Sequence, residues 1–212
     1  ASIAHGYTIS SENYSNYQSQ YVTDRPEGSV SRTSASLCFS SSGAGLPRDN
    51  GDIVATAMSL GYPVTERRMH SINDPSPSYR AAMESLGIWM NANGTNYADN
   101  CTKVGASCDV FVATVMRYSG ADPNFPLYLG TQKTYLAQHK ELYDAYPARS
   151  VEPMPGDIRI ENGNGHIVLI VQREDGSLGI ASASHCDRTG DIAHYYNDST
   201  GTIYRLRTAN GS

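Results

Sequence analysis

A single cysteine stands directly before an amphipathic segment near the middle of the chain. Residues 104–120 read VGASCDVFVATVMRYSG, and apolar residues recur at helical spacing after Cys108 until Gly120. Ser107 is suited to cap such a helix, and the unpaired N–H groups of a first helical turn favour the thiolate form of a cysteine. Cys108 is therefore a candidate nucleophile, although a cysteine on an amphipathic helix is, taken alone, more often a buried core residue.

A nucleophilic thiol needs a base, and His166 is the candidate. It follows a Gly- and Asn-rich turn and opens an apolar strand within residues 154–172, MPGDIRIENGNGHIVLIVQ. A cysteine and a histidine that are far apart in sequence and meet in the fold are a usual pair in thiol hydrolases. An imidazole beside a thiol at a helix start brings the thiol pKa from about 8.5 to about 3.5–7.5. The pair predicts nucleophilic hydrolysis that requires no cofactor.

The elements that must position this pair are helices first and strands later. The helical patterns are residues 50–60 with Asp49 or Asn50 as the N-cap, residues 78–86 with Ser78 as the N-cap, residues 108–118, and a segment within 131–146. From residue 154 onward the strand patterns are residues 157–160, 166–172, 178–184 and 201–208. This order predicts an α+β fold in which N-terminal helices pack on a C-terminal antiparallel β-sheet.

The beginning of the chain differs in composition from the rest. Residues 1–48 are rich in Ser, Tyr and Gly and poor in aliphatic side chains, so they cannot build a core of their own. We expect an extension or linker there, with a segment that covers the active site as the alternative. The folded domain is expected in residues 49–212.

Charge and composition exclude several classes of function. The formal net charge is −5, so the chain lacks the basic surface that nucleic-acid binding needs. No apolar run approaches the roughly 18 residues of a membrane span. The scarcity of Lys and the abundance of Ser, Tyr, Asn and Gly are common in exported proteins, so we expect a secreted or envelope-associated monomer.

The cysteines and histidines do not form a metal-binding pattern. Their spacing is too irregular for a zinc site or a disulfide scaffold, and the four cysteines are Cys38, Cys101, Cys108 and Cys186. If Cys108 is a free thiol, at most one disulfide can form among the other three. We therefore expect no metal.

Three motifs in order resemble the NlpC-type cell-wall peptidase family, whose fold is papain-like in a compact, rearranged form. Residues 107–111, Ser-Cys-Asp-Val-Phe, are similar to the family's Asp-Cys-Ser-Gly-Phe, with different neighbours around the cysteine. Residues 155–158, Pro-Gly-Asp-Ile, match its Pro-Gly-Asp-Leu. Residues 165–170, Gly-His-Ile-Val-Leu-Ile, are similar to its Gly-His-Val-Gly-Ile-Tyr. The likeness covers roughly residues 50–207.

The resemblance implies a cysteine hydrolase that cleaves an amide bond of peptidoglycan, within the stem peptide. Cys108 would attack the carbonyl and His166 would act as the base, while Tyr97 and the N–H of Cys108 stabilise the oxyanion. A third polar residue on the strand after the histidine would orient the imidazole, and either Ser182 or His185 fills that position.

Two other functions stay open at this point. The first is an amidase that cuts the glycan–peptide junction, as related CHAP-type domains do. The second is a catalytically silent module that binds the wall or its muropeptides.

Overall fold

The structure is a computed structural model that describes residues 50–71, 74–88, 108–161, 165–183, 189–197 and 201–207. All of these residues belong to one unit, residues 47–212. The expected extension, residues 1–48, lies outside the described residues, and so do Tyr97, Ser107 and His185.

Five helices lie in the described ranges. They are α1 (Asn50–Leu60), α2 (Val64–Arg67), α3 (Pro77–Ser85), α4 (Cys108–Tyr118) and α5 (Leu129–Gln138). The helices predicted over residues 50–60 and 108–118 are confirmed. None of the described helices is long and apolar enough to cross a membrane.

The N-cap of α3 is Ser76, so the prediction of Ser78 is wrong. The Ser76 hydroxyl accepts the backbone N–H of Tyr79 at 3.0 Å. Pro77 follows in the first turn, where its missing N–H costs the helix no hydrogen bond. The proline therefore moves the helix start ahead of Ser78.

The helix predicted within residues 131–146 ends earlier than its sequence pattern predicts. Helix α5 stops at Gln138, and Tyr143–Pro147 form strand β2 instead. This strand pairs antiparallel with a strand near the end of the described chain. The Tyr143 side chain is buried, and its hydroxyl donates to Asp122 at 2.7 Å. Pairing with a distant strand and a buried polar contact thus override the local helical pattern.

The strands form one seven-stranded sheet. They are β1 (Tyr62–Pro63), β2 (Tyr143–Pro147), β3 (Ile158–Ile160), β4 (Ile167–Gln172), β5 (Leu178–Ser182), β6 (Asp191–His194) and β7 (Thr202–Leu206), in the order β1-β6-β5-β4-β3-β7-β2. All neighbours pair antiparallel except β1, which joins β6 in parallel. The α+β fold class is confirmed, with two strands, β1 and β2, added to the sheet from the half of the chain that the sequence predicts as helical.

The two faces of the sheet bury different sets of side chains. On β4, Ile167, Leu169 and Val171 belong to the main core, which also contains the apolar residues of α1 and α4. The alternate residues, Val168 and Ile170, belong to a second cluster on the other face. Helix α4 is buried over residues 108–116, so it is the central helix of the main core.

The Pro-Gly-Asp motif is a structural turn that leads into β3. Gly156 has φ +97°, a conformation that glycine adopts at no steric cost. The carboxylate of Asp157 is fully buried, accepts the N–H of Met154 at 2.8 Å, and binds two guanidinium nitrogens of Arg205 at 2.8 Å each. The motif therefore joins the start of β3 to β7.

The Asp157–Arg205 pair should contribute strongly to stability. Arg205→Met keeps most of the apolar stem but leaves the Asp157 carboxylate buried without a cation. We expect the free energy of unfolding, measured in urea, to fall by about 3 kcal/mol or more. Arg207→Met is the matched control, because it breaks a solvent-exposed pair with Asp144 and should cost about 1 kcal/mol or less. Equal losses in the two variants would show that Asp157 does not depend on Arg205.

Candidate active site at the start of helix α4

Cys108 is the first residue of helix α4, and its side chain is 1% exposed. It is a free thiol. Backbone N–H groups of Ile167, Asp109 and Cys108 itself lie near the sulfur, and each of them lowers the thiol pKa. Two of these N–H groups belong to the first turn of the helix, but the low thiol pKa that the sequence predicts for this position is not found. The third belongs to the residue that directly follows His166.

Burial opposes these donors and dominates. It raises the pKa of the Cys108 thiol, the charge of Asp109 adds to the effect, and together they bring the pKa to about 12. Cys108 is therefore protonated at neutral pH in this arrangement. A base must remove its proton before the sulfur can act as a nucleophile.

The first turn of α4 is held by a buried polar network that sequence reasoning missed. The Asp109 carboxylate accepts the N–H of Val110 and the N–H of Leu129, both at 2.9 Å. The amide of Gln132 donates to the carbonyls of Asp109 and Pro126, again at 2.9 Å. These bonds tie the start of α4 to the start of α5 and so fix the position of Cys108. In the sequence, Asp109 stands where the family motif has Ser, and no sequence pattern connects it to Gln132.

Helix α4 also lies close to the loop before β6. The Gly190 backbone has φ +63°, and a Cβ atom there would lie 2.7 Å from the Phe111 ring. Only a glycine fits this contact, which brings the first turn of α4 close to the sheet.

His166 lies directly before β4 and is half-buried. Its carbonyl accepts the N–H of Glu161 at 3.0 Å, and the backbone of the following residue, Ile167, lies near enough to the Cys108 sulfur to lower the thiol pKa. Burial lowers the pKa of His166, Glu161 raises it, and Arg159 lowers it, with a net decrease. The imidazole is therefore neutral at pH 7, which is the form that can accept a proton.

The alternation of side chains along β4 does not by itself fix the direction of the His166 side chain. Residues 166, 168 and 170 share the same parity, and Val168 and Ile170 face away from α4. Within the described part of the chain, no hydrogen bond joins the Cys108 sulfur to the His166 ring. Because His166 precedes the strand, its ring must turn toward α4 for the two groups to exchange a proton.

Ser182 lies beside Ile167, and its hydroxyl donates to backbone carbonyls. The hydroxyl donates to the Ile167 carbonyl at 2.9 Å and to the Ala183 carbonyl at 3.3 Å. The regular pairing of β4 with β5 ends at Leu169 and Ala181, and beyond it Ser182 bonds the Ile167 carbonyl in place of a backbone donor. Ser182 thus lies where β4 and β5 cease to pair, next to the part of the Ile167 backbone that is near the Cys108 sulfur. The alternative orienting residue, His185, and the predicted oxyanion residue, Tyr97, lie outside the described residues.

Among the described residues, no group of three or more His, Cys, Asp or Glu side chains is placed to hold a metal ion. Comparison with protein-family models, with curated proteins and with solved structures finds no match to this chain. The likeness to NlpC-type peptidases therefore depends on the three motifs alone.

Removing the charge of Asp109 should lower the pKa of the Cys108 thiol. In Asp109→Asn one of the two acceptor oxygens remains, the other is replaced by an NH2 group, and the nearby negative charge that disfavours the thiolate is gone. Mass spectrometry of the peptide containing Cys108, after iodoacetamide treatment from neutral to strongly alkaline pH, gives the apparent pKa. We expect the alkylation profile to shift to lower pH in this variant and to stay unchanged in Asp144→Asn, which alters an exposed carboxylate. An unchanged profile in folded Asp109→Asn would show that this carboxylate does not act on the thiol.

Proposed function

We propose that this chain is a thiol-dependent hydrolase that cleaves an amide bond in peptidoglycan, with Cys108 as the nucleophile and His166 as the base. One observation carries the proposal. The backbone of Ile167, the residue next to His166, lies near enough to the sulfur at the start of α4 to lower its pKa. This closeness of the Cys108 sulfur to the backbone beside His166 supports the pairing of the two residues.

The chemistry begins with transfer of the thiol proton to the neutral imidazole of His166. The sulfur then attacks the carbonyl carbon of the scissile amide, and the N–H of Cys108 stabilises the oxyanion together with Tyr97. The imidazolium returns its proton to the leaving amine, and a thioester remains on Cys108. His166 next deprotonates a water molecule, whose attack releases the carboxylic acid and restores the thiol.

The pKa shifts define how the pair must work. The Cys108 thiol has a raised pKa and His166 has a lowered one, so the resting pair is neutral rather than a thiolate and an imidazolium. Since the base acts in its neutral form, activity should persist below the ordinary pKa of histidine.

The substrate class comes from the motif resemblance. The helix start at Cys108, the Pro-Gly-Asp turn and the Gly-His strand occur in the order of NlpC-type peptidases. The family expectation is cleavage within the stem peptide, in a secreted or envelope-associated protein.

A catalytically silent wall-binding module is the second candidate, and two observations favour it. The Cys108 side chain is almost fully buried, which is the ordinary state of a structural cysteine. The parity of β4 also directs residue 166 away from α4. Such a module would retain the fold and bind muropeptides without cleaving them.

Digestion of purified peptidoglycan tests the proposal. We expect the wild-type protein to release products, Cys108→Ala to be inactive, and His166→Ala to be slower by about 10²–10⁴-fold, because a general base contributes that much. His139→Gln is the matched control. It changes another partly buried histidine, at the end of α5, and should keep wild-type turnover.

Mass spectrometry of the products separates the functions. New amines inside the stem peptide indicate an endopeptidase, and free lactyl groups indicate an amidase at the glycan–peptide junction. Binding to the wall without cleavage by the wild-type protein would contradict the hydrolase and support the module. Wild-type turnover in Cys108→Ala would exclude Cys108 as the nucleophile.

A further inference from the structure

The pairing of β4 with β5 stops one step before its regular end. The last cross-strand pair joins Leu169 to Ala181, and the next hydrogen-bonded pair of an antiparallel ladder would join Ile167 to Ala183. In that pair the Ile167 N–H would donate to the Ala183 carbonyl, and the Ala183 N–H to the Ile167 carbonyl. Both residues are described, and no backbone hydrogen bond joins them. The two strands therefore separate at Ile167.

The Ser182 hydroxyl occupies the gap between the separated strands. It donates to the Ile167 carbonyl at 2.9 Å and to the Ala183 carbonyl at 3.3 Å, so it bonds both acceptors that the regular pair would use. On its other edge β5 stays paired with β6 as far as Ser182 and Asp191. The separation thus concerns the β4 side alone, and the hydroxyl keeps the two backbones apart there.

The separation leaves the Ile167 N–H without its regular strand acceptor. This N–H lies near the Cys108 sulfur and lowers the pKa of the thiol. Ile167, Ala183 and Cys108 belong to the same core cluster, so the sulfur packs on the side of the sheet where these two strand ends lie. A sulfur that has lost its proton is a charged acceptor, and hydrogen bonds to charged groups are the stronger ones.

We propose that Ser182 is a positioning residue for the Cys108 thiolate, because its hydroxyl holds β5 apart from β4 and so keeps the Ile167 N–H available to the sulfur. This inference rests on the proposed hydrolase function, in which the sulfur carries a negative charge before it attacks the carbonyl. Ser182 then acts on Cys108 through the β4 backbone. The motif resemblance suggests a different role for it, the orientation of the His166 imidazole.

The direction of the Ser182 side chain explains why it acts through the backbone. Ser182 has the strand parity of Ile180, whose side chain belongs to the cluster on the face away from α4. Its hydroxyl turns from that face into the gap between the strands, where it bonds the two carbonyls. A side chain as short as serine can bond carbonyls of two neighbouring strands at once, and an alanine there would supply no donor.

Ser182→Ala removes this donor and keeps the size of the side chain almost unchanged. The two backbones can then close into the regular pair, in which the Ile167 N–H donates to the Ala183 carbonyl instead of the sulfur. The charge of Asp109, which raises the pKa of the Cys108 thiol, is the same in both proteins. The thiol pKa should therefore rise in the variant, and less thiolate is present at any pH below it.

The rate at which iodoacetamide alkylates Cys108 at a fixed, mildly alkaline pH measures this change, by mass spectrometry of the peptide that contains it. In Ser182→Ala we expect alkylation to be slower by about tenfold, because a rise of one pKa unit lowers the thiolate fraction by that factor. Loss of packing alone would expose the buried thiol and make alkylation faster. The sign of the change thus separates positioning from a merely structural role.

Two further variants and the hydrolysis assay complete the test. Ser182→Thr keeps the hydroxyl and should restore the wild-type rate. Ser177→Ala is the control, because it removes an exposed hydroxyl near the turn of the same hairpin and should leave alkylation unchanged. In peptidoglycan hydrolysis, kcat of Ser182→Ala should fall by about tenfold with little change in KM, because the residue acts on the nucleophile without binding substrate.

Each outcome decides the inference. Alkylation of folded Ser182→Ala at the wild-type rate or faster overturns the role of Ser182, and hydrolysis by the wild type then leaves the hydrolase standing. Slower alkylation that Ser182→Thr restores supports the action of Ser182 on the thiol. If the wild type does not hydrolyse peptidoglycan, that same result overturns the proposed function and the catalytic use of the Ile167 N–H with it.

A crystal structure of the wild type decides if Ser182→Ala does not fold. An Ile167 N–H that is directed at the Cys108 sulfur, with the Ser182 hydroxyl between the two carbonyls, supports the inference. A backbone hydrogen bond from Ile167 to the Ala183 carbonyl overturns it.

Discussion

The approach of the Ile167 backbone to the Cys108 sulfur is the contact on which the site depends. It joins the start of the central helix to the start of the central strand β4, at the point where β4 and β5 cease to pair. Hydrogen bonds of Asp109 and Gln132 hold the start of α4 in place. Gly190 allows the Phe111 ring to approach the sheet. Together these contacts place a thiol beside the backbone of a histidine and leave little freedom for either group.

The same contact creates a conflict between stability and reactivity. Burial raises the thiol pKa to about 12, whereas the helix-start donors and the Ile167 N–H lower it. Unpaired N–H donors of this kind are present at any helix start. A hydrolase can use them, because they stabilise the sulfur as it loses its proton. His166, kept neutral by burial, is suited to receive that proton.

The sequence predicts the parts of this architecture that are encoded locally. The helical periodicity after Cys108 gives α4, and the apolar run after His166 gives β4. The sequence does not predict strands β1, β2 and β6. The partner of β1 is β6 and that of β2 is β7, so both pairings join segments that are distant in sequence. The place of Ser182 is not predicted for a different reason. In the sequence it resembles a residue of a continuous strand, and only the strand register shows that β4 and β5 cease to pair there.

The distance between the Cys108 sulfur and the nearest ring nitrogen of His166, measured in a crystal structure, tests the central claim most directly. The account predicts that this distance lies within about 4 Å, allowing for the looser geometry of an enzyme without substrate. An imidazole packed beside Val168 and Ile170, with the sheet between it and the sulfur, would contradict the account and leave Cys108 as a core residue.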